Sequence, residues 1–478
     1  MTVSELLDVL AARPLVASVQ ASEGSPVEDP TTLARLAAAS AEQGVRVLRL
    51  QGVENVQSAR QATGLPCIGL VKRRYPGSEV YITPTIAEVE ALLASPCEVI
   101  ALDATLRERP EGQTLRSLVQ EVHRAGRLAM GDCDTIASVR HALSCGVDLV
   151  GTTLAGYTDA APSTTGPDLG FLREAIAEST VPVLAEGRFA QPWQVQAALR
   201  IGAAAVVVGG ALNDPVKLTR GFIRAATVAD GPVGAVDIGG TWLRFGIFSP
   251  DWKLLDSRRI TVPRDRTSRL DWIREQVQYG SVHRVGISTG GTVDPHTGEV
   301  WEAKPIIPGH AGTVFDEATV GVPTLALNDG LATAWGHANL PQFAGRRVAT
   351  LALGTGVGCG FVVEGSIWMG PRGEYPRLND MPSGVRDLTV EQALGGASLG
   401  EAPGGEAIRD AVQAFLQSSL MLQEMLFPDE IVVCGGVGLG DWIAPFLRGQ
   451  GLSASPFGED AGLYGAAALA LFPPLALP

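Results

Sequence analysis

Eight short apolar runs in the first 225 residues place the strongest constraint on the fold of this 478-residue chain. They are rich in Val, Ile and Leu, as strands buried on both faces are, and helix-length segments such as 30–43 and 135–146 separate most of them. The runs are PLVASVQ (14–20), VRVLRL (45–50), CIGLVK (67–72), EVIALDA (98–104), LAMGDC (128–133), LVGTTL (149–154), VPVLAEG (181–187) and AAVVVGG (204–210). Eight β-α units within one domain predict a closed (β/α)₈ barrel, with an open doubly wound sheet as the alternative.

Composition excludes several other classes of protein. Six cysteines in 478 residues make no disulfide framework, and the opening MTVSELLDVLAARPL lacks the basic start and long apolar core of a signal peptide. No stretch reaches about 18 consecutive apolar residues, so no transmembrane helix is expected. The net charge of −14 disfavours nucleic acid and anionic membrane surfaces as partners. We therefore expect a cytoplasmic α/β protein that acts on small molecules.

The sequence changes character after a short Gly-Pro-containing linker at residues 228–234. Two glycine-rich hairpin patterns follow, at residues 234–248 and 348–365. Their repetition predicts a duplicated, two-lobed domain with a cleft between the lobes. We therefore predict a barrel domain over residues 1–228 and a two-lobed domain over residues 233–478.

Polar side chains end nearly every apolar run of the first domain, and chemistry in such barrels lies at the C-terminal ends of the strands. These ends carry Gln20, Arg49, Lys72, Asp103, Asp132, Thr153, Glu186 and the pair Gly209-Gly210. Gly187-Arg188 and Gly209-Gly210 follow the last two strands, where glycine N–H groups and a cation bind phosphate, so a phosphorylated small molecule is expected with Arg188 at its phosphate. A desolvated Lys72 near Arg49 has a lowered pKa. It can act either as a base beside a carbonyl or as a Schiff-base nucleophile.

Seven short strings of the first domain carry a resemblance to a known family: SVQ (18–20), LRLQGVENVQ (48–57), GLVKR (69–73), LAMGDC (128–133), GTTLAGYT (151–158), AEGR (185–188) and VVVGG (206–210). Over residues 12–224 the chain resembles N-acetylmannosamine-6-phosphate 2-epimerases. The resemblance implies a barrel that interconverts N-acetylmannosamine 6-phosphate and N-acetylglucosamine 6-phosphate. It implies that Lys72 moves the C2 proton of the ring-opened sugar and that Glu186 orients or exchanges protons with sugar hydroxyls. The implied binding residues for sugar and phosphate are Gln20, Arg49, Asp132, Thr153, Gly187, Arg188, Gly209 and Gly210. Gln51 stands where many relatives have Glu, which removes no residue assigned to proton transfer.

Three glycine clusters in the second domain indicate phosphate binding. They are Asp237-Ile238-Gly239-Gly240-Thr241, Gly354-Thr355-Gly356-Val357-Gly358, and Gly435-Gly436 within CGGVGLG (434–440). Backbone N–H groups of such turns surround phosphate oxygens, and Asp237 can reach a Mg²⁺ ion or its water. Asn328-Asp329 ends a predicted strand and opens a helix. Asp329 is the candidate base for an attacking hydroxyl, with a helix N-cap as its structural alternative.

These clusters, together with GISTGGTVDPHTG (286–298) and GPRGE (370–374), resemble the ROK family of sugar kinases, which has the actin/hexokinase-type fold, over residues 233–475. The tail EDAGLYGAAALAL (459–471) is most similar to bacterial N-acetylmannosamine kinases. The resemblance implies ATP with Mg²⁺, and Asp329 as the group that takes the proton of the sugar 6-hydroxyl. The implied sugar contacts are Asn328, Glu374 and Glu391.

Many ROK proteins carry a structural zinc ion bound by one His and a cysteine-rich run. Here residues 380–392 contain no Cys, and Arg377 stands at the position of that His, which also faces the sugar. No zinc is therefore expected, and Arg377 joins the predicted sugar-binding set.

Together the two resemblances predict a homo-oligomeric, bifunctional enzyme of sialic-acid breakdown. It would phosphorylate N-acetylmannosamine with ATP and epimerise the product to N-acetylglucosamine 6-phosphate. Two alternatives stay open. In the first, the barrel is an active epimerase and the second domain senses sugar or phosphorylates a different hexose. In the second, the barrel is an aldolase or lyase instead of an epimerase.

Overall fold

The computed structural model describes residues 1–161, 166–226, 229–400, 403–447 and 451–474. The chain divides into two compact units, Met1–Arg224 and Ala225–Pro478. Val228, the last residue of the predicted barrel domain, lies outside the described residues, so that domain bound stays a prediction. Within the described ranges, no helix is long and apolar enough to cross a membrane.

Eight parallel strands close the first unit into a barrel, and neighbours in the barrel are neighbours in the chain. The strands are β1 (Leu15–Val19), β2 (Val47–Gln51), β3 (Cys67–Leu70), β4 (Val99–Asp103), β5 (Leu128–Asp132), β6 (Leu149–Gly151), β7 (Val183–Glu186) and β8 (Ala205–Val208). The helices are α1 (Val3–Ala11), α2 (Pro30–Glu42), α3 (Val53–Thr63), α4 (Ile86–Leu93), α5 (Leu115–Arg124), α6 (Ile136–Cys145), α7 (Leu169–Glu178), α8 (Pro192–Ile201), α9 (Gly210–Asn213) and α10 (Pro215–Ala226). Each strand overlaps one of the eight apolar runs, so the predicted barrel is confirmed and the open sheet is wrong.

The barrel interior explains how polar groups reach one mouth. It is packed with inward-facing aliphatic side chains from all eight strands, among them Val47, Met130 and Leu184. Successive side chains of a strand point to opposite faces, so residues two positions apart share a face. Arg49 therefore lies above Val47, and Asp132 lies above Met130. The same period places Glu186 above Leu184, at the C-terminal end of the barrel.

The second unit contains two five-stranded sheets with the same strand arrangement. Their orders are β11-β10-β9-β12-β15 and β18-β17-β16-β19-β20, and a two-stranded sheet, β13-β14, stands apart. The strands are β9 (Val233–Ile238), β10 (Trp242–Phe248), β11 (Leu254–Thr261), β12 (Val285–Thr289), β13 (Thr292–Val293), β14 (Val300–Glu302), β15 (Thr324–Asn328), β16 (Val348–Leu353), β17 (Val357–Val363), β18 (Ser366–Ile367), β19 (Glu430–Cys434) and β20 (Leu452–Ala454). Each large sheet begins with an antiparallel hairpin and continues with parallel strands. This repetition confirms the predicted two-lobed duplication.

Two central helices fix the position of Asp329. The helices of this unit are α11 (Arg266–Gly280), α12 (Glu317–Val320), α13 (Asp329–Ala338), α14 (Val390–Leu394), α15 (Gly396–Leu399), α16 (Gly405–Leu426) and α17 (Ala461–Leu471). Helices α13 and α17 approach closely, because a Cβ at Gly336 would lie only 2.9 Å from the Cα of Gly465. Small residues at this crossing therefore hold α13, and Asp329 at its first position, against the sheets.

Candidate active sites

An ion-pair network lies at the mouth of the barrel. Arg49 Nη2 lies 2.6 Å from Asp132 Oδ2, and Arg49 Nε lies 3.2 Å from Glu186 Oε2. The side chains of Arg49 and Asp132 are 1% and 0% exposed, and that of Glu186 is 13% exposed. Thr153 Oγ1 lies 2.6 Å from Asp132 Oδ1 and 3.1 Å from Glu186 Oε2. The network therefore compensates most of its buried charge internally, as buried charges require.

Burial changes the protonation of this network. Desolvation raises the pKa of Glu186, and the negative charge of Asp132 adds to the rise, while Arg49 opposes it. A hydroxyl carries one proton, so Thr153 cannot donate to both carboxylates at once. When Thr153 donates to Asp132, a protonated Glu186 can itself donate a hydrogen bond. Glu186 is thus suited to exchange protons near neutral pH.

Lys72 lies just beyond β3, where its backbone bridges to Ile82. Solvent in the mouth reaches its side chain. The surrounding protein nevertheless desolvates the ammonium, and this burial, followed by the charge of Arg49, lowers the pKa of Lys72. The charges of Glu186 and Asp132 oppose the shift. The structure therefore brings Lys72 into the electrostatic field of the predicted barrel site.

Sequence reasoning missed two side chains of this mouth. The ammonium of Lys217, in the first turn of α10, also lowers the pKa of Lys72 and lies 3.8 Å from Asp214 Oδ2. Burial raises the pKa of Tyr81, and the charges of Asp132 and Asp103 raise it further. Neither residue belongs to an apolar run or a glycine motif, so only the folded chain brings them to the site.

The predicted phosphate-binding residues surround the ends of the last two strands. Gly187 has φ +112°, a backbone conformation that favours glycine. Arg188 Nε donates to the carbonyl of Gly166 at 2.9 Å, and its guanidinium lies 4.9 Å from the centre of the Tyr157 ring. A Cβ at Gly210 would lie 3.3 Å from Lys217 Cδ. Lys217 is thus a second cation beside these glycines, in addition to the predicted Arg188.

Two further predicted residues border the mouth. Gln20 Nε2 donates to Ser18 Oγ at 2.9 Å, and within the described part of the chain the buried Gln20 Oε1 has no hydrogen-bond partner. Gly209 lies beside Ser18, since a Cβ there would lie 3.3 Å from Ser18 Cβ. The unpartnered amide oxygen of Gln20 can accept a hydrogen bond from a hydroxyl.

In the second unit, the glycine clusters form turns at the ends of strands. Gly239, Gly240 and Thr241 join β9 to β10, and the hydroxyl-bearing side chains of Thr241 and Thr355 are exposed. Residues 354–356 join β16 to β17 in the same way. These exposed hydroxyls and turn backbones are accessible to a phosphate, and the predicted phosphate contacts stay predictions.

The second and third glycine clusters pack into one cradle. Gly435 has φ +84°, and a Cβ there would lie 2.4 Å from the carbonyl oxygen of Leu353. The N–H groups of Val437 and Gly438 donate to that carbonyl at 3.0 and 3.2 Å. The N–H of Gly396 donates to the carbonyl of Gly354 at 2.8 Å. Only glycine fits this close approach at position 435, while Gly436 follows on the same turn.

Asp237 and Glu391 lie within electrostatic range of Asp329, between the turns. Solvent reaches Asp329, yet the protein around it raises the pKa of Asp329 to about 6, and the charges of Asp237 and Glu391 add to the rise. Burial also raises the pKa of Asp237, whose Oδ1 accepts from Ser288 Oγ at 3.2 Å. Glu391 Oε2 accepts from the N–H of Val357 at 2.9 Å. In the described ranges, none of the three carboxylates forms an ion pair with a cationic side chain.

The N-cap alternative for Asp329 is wrong. The cap of α13 is Asn328, whose Oδ1 accepts from the N–H of Gly330 at 2.9 Å. Asn328 Nδ2 donates to the carbonyl of Gly291 at 2.9 Å. Asp329 is the first residue of the helix itself, where the positive end of the helix dipole favours a carboxylate.

Glu374 and Arg377 have partners other than the ones the sequence suggested. Glu374 Oε2 accepts from the N–H of Arg372 at 2.8 Å, within a tight turn. Arg377 Nη1 donates to Glu302 Oε1 at 3.3 Å, and Arg377 Nη2 pairs with Glu302 Oε2. Their predicted contacts with sugar stay predictions. Among the residues that the structure describes, no three His, Cys, Asp or Glu side chains lie close enough together to hold a metal ion.

Comparison with known proteins assigns both units. Residues 33–228 match the family described as "Putative N-acetylmannosamine-6-phosphate epimerase", and residues 233–379 match the ROK family. The bifunctional enzyme NanE/NanK of Brucella melitensis biotype 1 is 32% identical over an alignment of 515 positions that covers 98% of each protein. The chain belongs to the bifunctional NanE/NanK family. The match spans both units of the structure.

Two solved structures each match one half of the chain. N-acetylmannosamine-6-phosphate 2-epimerase from Clostridium perfringens is 40% identical, with a TM-score of 0.45, and the match covers 46% of this chain and 95% of that one. A ROK-family glucokinase from Streptomyces griseus, solved with glucose and AMPPNP, is 24% identical, with a TM-score of 0.42, and the match covers 50% of this chain and 99% of that one.

Proposed function

We propose that this chain phosphorylates N-acetylmannosamine with ATP and then epimerises N-acetylmannosamine 6-phosphate at C2. The observation that carries the proposal is that one chain of the NanE/NanK family holds two separate groups of desolvated ionisable side chains with shifted pKa values. One centres on Lys72 and Glu186, and the other on Asp329. A cytoplasmic location and a homo-oligomeric state stay predictions of the sequence.

In the kinase half, Asp329 acts as the base. Its ionised carboxylate accepts the proton of the sugar 6-hydroxyl while that oxygen attacks the γ-phosphorus and ADP leaves. The turns of Gly239, Gly240 and Thr241, of Gly354, Thr355 and Gly356, and of Gly435 and Gly436 bind the nucleotide through backbone N–H groups and hydroxyls. Asn328, which precedes Asp329, and Glu391, whose charge acts on Asp329, bind the sugar.

The cleft carboxylates make acidic surroundings for a magnesium ion that arrives with ATP, although in the described residues they form no three-ligand metal site. Carboxylate oxygens are the ligands that Mg²⁺ prefers, and burial raises the pKa of Asp237 and of Asp329, so that a cation beside either carboxylate stabilises its ionised form. Asp237 is the proposed contact to the ion or to its bound water. Bound Mg²⁺ neutralises charge on the transferring phosphate.

In the barrel, neutral Lys72 removes the C2 proton of the ring-opened sugar. The electrons of the C–H bond move to the C1 carbonyl, whose aldehyde makes that proton acidic, and protonation on the opposite face gives N-acetylglucosamine 6-phosphate. Glu186 exchanges protons with sugar oxygens. Gln20 and Thr153 contact the sugar, and the buried pair of Arg49 and Asp132 fixes the network around it.

The phosphate binds at the ends of the last two strands. Gly187, Gly209 and Gly210 allow the backbone to approach it. Arg188, next to Gly187 in the chain, and Lys217, beside Gly210, supply positive charge near these glycines. With two cations available, removal of either one weakens phosphate binding less than removal of both.

Solvent exchange tests the barrel directly. N-acetylmannosamine 6-phosphate is incubated with the chain in D₂O without ATP and followed by NMR. The proposal predicts N-acetylglucosamine 6-phosphate with deuterium at C2. Covalent trapping of sugar on Lys72 by borohydride, without C2 exchange, would instead support a Schiff-base aldolase.

ADP release tests the cleft. The proposal predicts release with N-acetylmannosamine and MgATP, and unchanged rates after treatment with a zinc chelator at saturating Mg²⁺. Faster release with another hexose would contradict the proposed substrate. Sugar binding without ADP release would support the sensor alternative.

A further inference from the structure

Contacts that no sequence motif anticipated join residues 301–304, at and beyond the end of β14, to residues 372–380 of the kinase half. Arg377 pairs through both terminal nitrogens with the carboxylate of Glu302, at the end of β14. Lys304 Nζ lies 3.3 Å from Asp380 Oδ1. Trp301 Nε1 donates to the carbonyl of Arg372 at 2.8 Å. We call these three contacts the clasp.

The clasp fixes one short segment, residues 370–380, against the β13-β14 sheet. The guanidinium of Arg372 also lies 4.3 Å from the centre of the Trp301 ring. The backbones approach so closely that a Cβ at Gly373 would lie 1.8 Å from the carbonyl oxygen of Val293. Contacts on both sides of Glu374 and Tyr375 thus restrict where these two side chains can lie.

Tyr375 lies within the segment that the clasp fixes. Its ring packs against the buried cluster that includes Leu327 and Leu331, the residues two positions before and two positions after Asp329. The electrostatics agree with this placement: burial, followed by the charge of Asp329, raises the pKa of Tyr375 to about 12. The phenol therefore stays protonated beside the proposed base.

We propose that the clasp positions Tyr375 against the hexose bound at Asp329, so that Tyr375 is a sugar-binding and specificity-determining residue of the kinase half. The inference rests on the proposed kinase function. A phenol offers a hydroxyl for the polar edge of a sugar and a ring face for its C–H face. Arg377 acts through the segment that carries Tyr375 and is a positioning residue.

This role predicts a specific kinetic signature. Sugar binding depends on the clasp, whereas the nucleotide turns and Asp329 lie outside it. Breaking the clasp therefore raises the KM for N-acetylmannosamine and leaves kcat and the KM for MgATP nearly unchanged. A general loss of folding would instead reduce the active fraction and lower the apparent kcat.

A charge swap tests the clasp. We expect Glu302→Arg alone to raise the sugar KM about tenfold, the size of one or two lost hydrogen bonds. Glu302→Arg combined with Arg377→Glu restores the opposite pairing, and we expect it to return the KM to within about threefold of the parent chain. Failure of the combined variant to recover, or a single variant with an unchanged sugar KM, would overturn the clasp.

The chain supplies a matched control. Arg347 and Asp429 form an ion pair in the same unit, with side chains 46% and 39% exposed, against 43% and 46% for Arg377 and Glu302. Arg347→Glu should leave the sugar KM unchanged. Epimerisation of N-acetylmannosamine 6-phosphate, measured on the same samples, reports the amount of intact chain.

Tyr375→Ala and Tyr375→Phe test the proposed contact. We expect Tyr375→Ala to raise the sugar KM at least as much as breaking the clasp, and Tyr375→Phe to raise it by a smaller factor. An unchanged sugar KM in Tyr375→Ala would overturn the role of Tyr375. Absence of ADP release from the parent chain with N-acetylmannosamine would overturn the proposed kinase function itself.

Discussion

The barrel mouth and the kinase cleft differ in whether a cationic side chain pairs with their carboxylates. In the barrel, a buried Arg49 pairs with Asp132 and Glu186, so its carboxylates have a cationic partner within the fold. In the cleft, Asp237, Asp329 and Glu391 form no ion pair in the described residues, and burial, followed by the charges of Asp237 and Glu391, raises the pKa of Asp329. A charge-balanced site suits an internal proton transfer. An unbalanced acidic site suits a substrate that arrives with its own cation.

The largest expected effect separates the two chemistries. Lys72→Ala removes the proposed base and should reduce epimerisation by about 10²–10⁴-fold, the range for loss of a general base. ADP release should be unaffected, because Lys72 belongs to the other unit. Asp329→Asn is the reciprocal variant: it should reduce ADP release and leave epimerisation unaffected. Deuterium exchange at C2 and ADP release, measured on both variants, check the pair of outcomes, and retained exchange in Lys72→Ala would exclude it as the base.

The second prediction concerns the buried ion pair between Arg49 and Asp132 in the barrel. Arg49→Met leaves the buried Asp132 without its cationic partner and should lower the free energy of unfolding of the barrel by about 3–5 kcal/mol, the usual cost of breaking a buried ion pair. Chemical denaturation followed by circular dichroism measures the change. The exposed Arg140–Glu178 pair provides the control, because solvent screens it and Arg140→Met should lower the free energy of unfolding far less than Arg49→Met does. Equal losses for the two variants would contradict the buried-pair account.

The third prediction concerns the pH dependence of the unbalanced site. Asp329 must be ionised to accept a proton, and its pKa is raised to about 6. The kcat/KM of the kinase should therefore fall as pH drops through 6, by about tenfold for each further pH unit. Glu391→Gln removes one neighbouring negative charge and should shift this limb to lower pH. A limb that stays in place in Glu391→Gln would show that the two carboxylates are not coupled.

The smallest expected effect concerns the role of Asp237 in nucleotide binding. A Cβ at Gly462 would lie 2.7 Å from Asp237 Oδ1, so Gly462→Ala must displace that carboxylate. We expect a several-fold higher KM for MgATP and little loss of stability, because alanine favours the helix by about 1 kcal/mol over glycine. Steady-state kinetics and thermal unfolding check both parts. A KM for MgATP equal to that of the parent chain would argue against a role for Asp237 in nucleotide binding.

Sequence periodicity was sufficient to predict the parts of the fold that repeat. The alternation along β2 and β5 places Arg49 and Asp132 on the inward face without any knowledge of their contacts. The glycine clusters likewise predicted the turns at residues 239–241 and 354–356, since backbone conformation there depends on local sequence.

Contacts between distant segments could not be predicted in the same way. Glu302 and Arg377 are 75 residues apart, and each alone has the pattern of an ordinary surface charge. Lys217 reaches the barrel mouth only because α10 begins beside the last strand. The choice of Asn328 rather than Asp329 as helix cap is a matter of one residue, finer than a strand-to-helix pattern can resolve.

The most direct test of two complementary sites in one chain is a single incubation with N-acetylmannosamine and MgATP in D₂O, with sugars followed by NMR and ADP measured in parallel. We predict that ADP forms and that N-acetylglucosamine 6-phosphate accumulates with deuterium at C2. If N-acetylmannosamine stays unphosphorylated while added N-acetylmannosamine 6-phosphate is epimerised, the cleft is not the kinase that its geometry indicates. If N-acetylmannosamine 6-phosphate accumulates without exchange at C2, the barrel is not the epimerase.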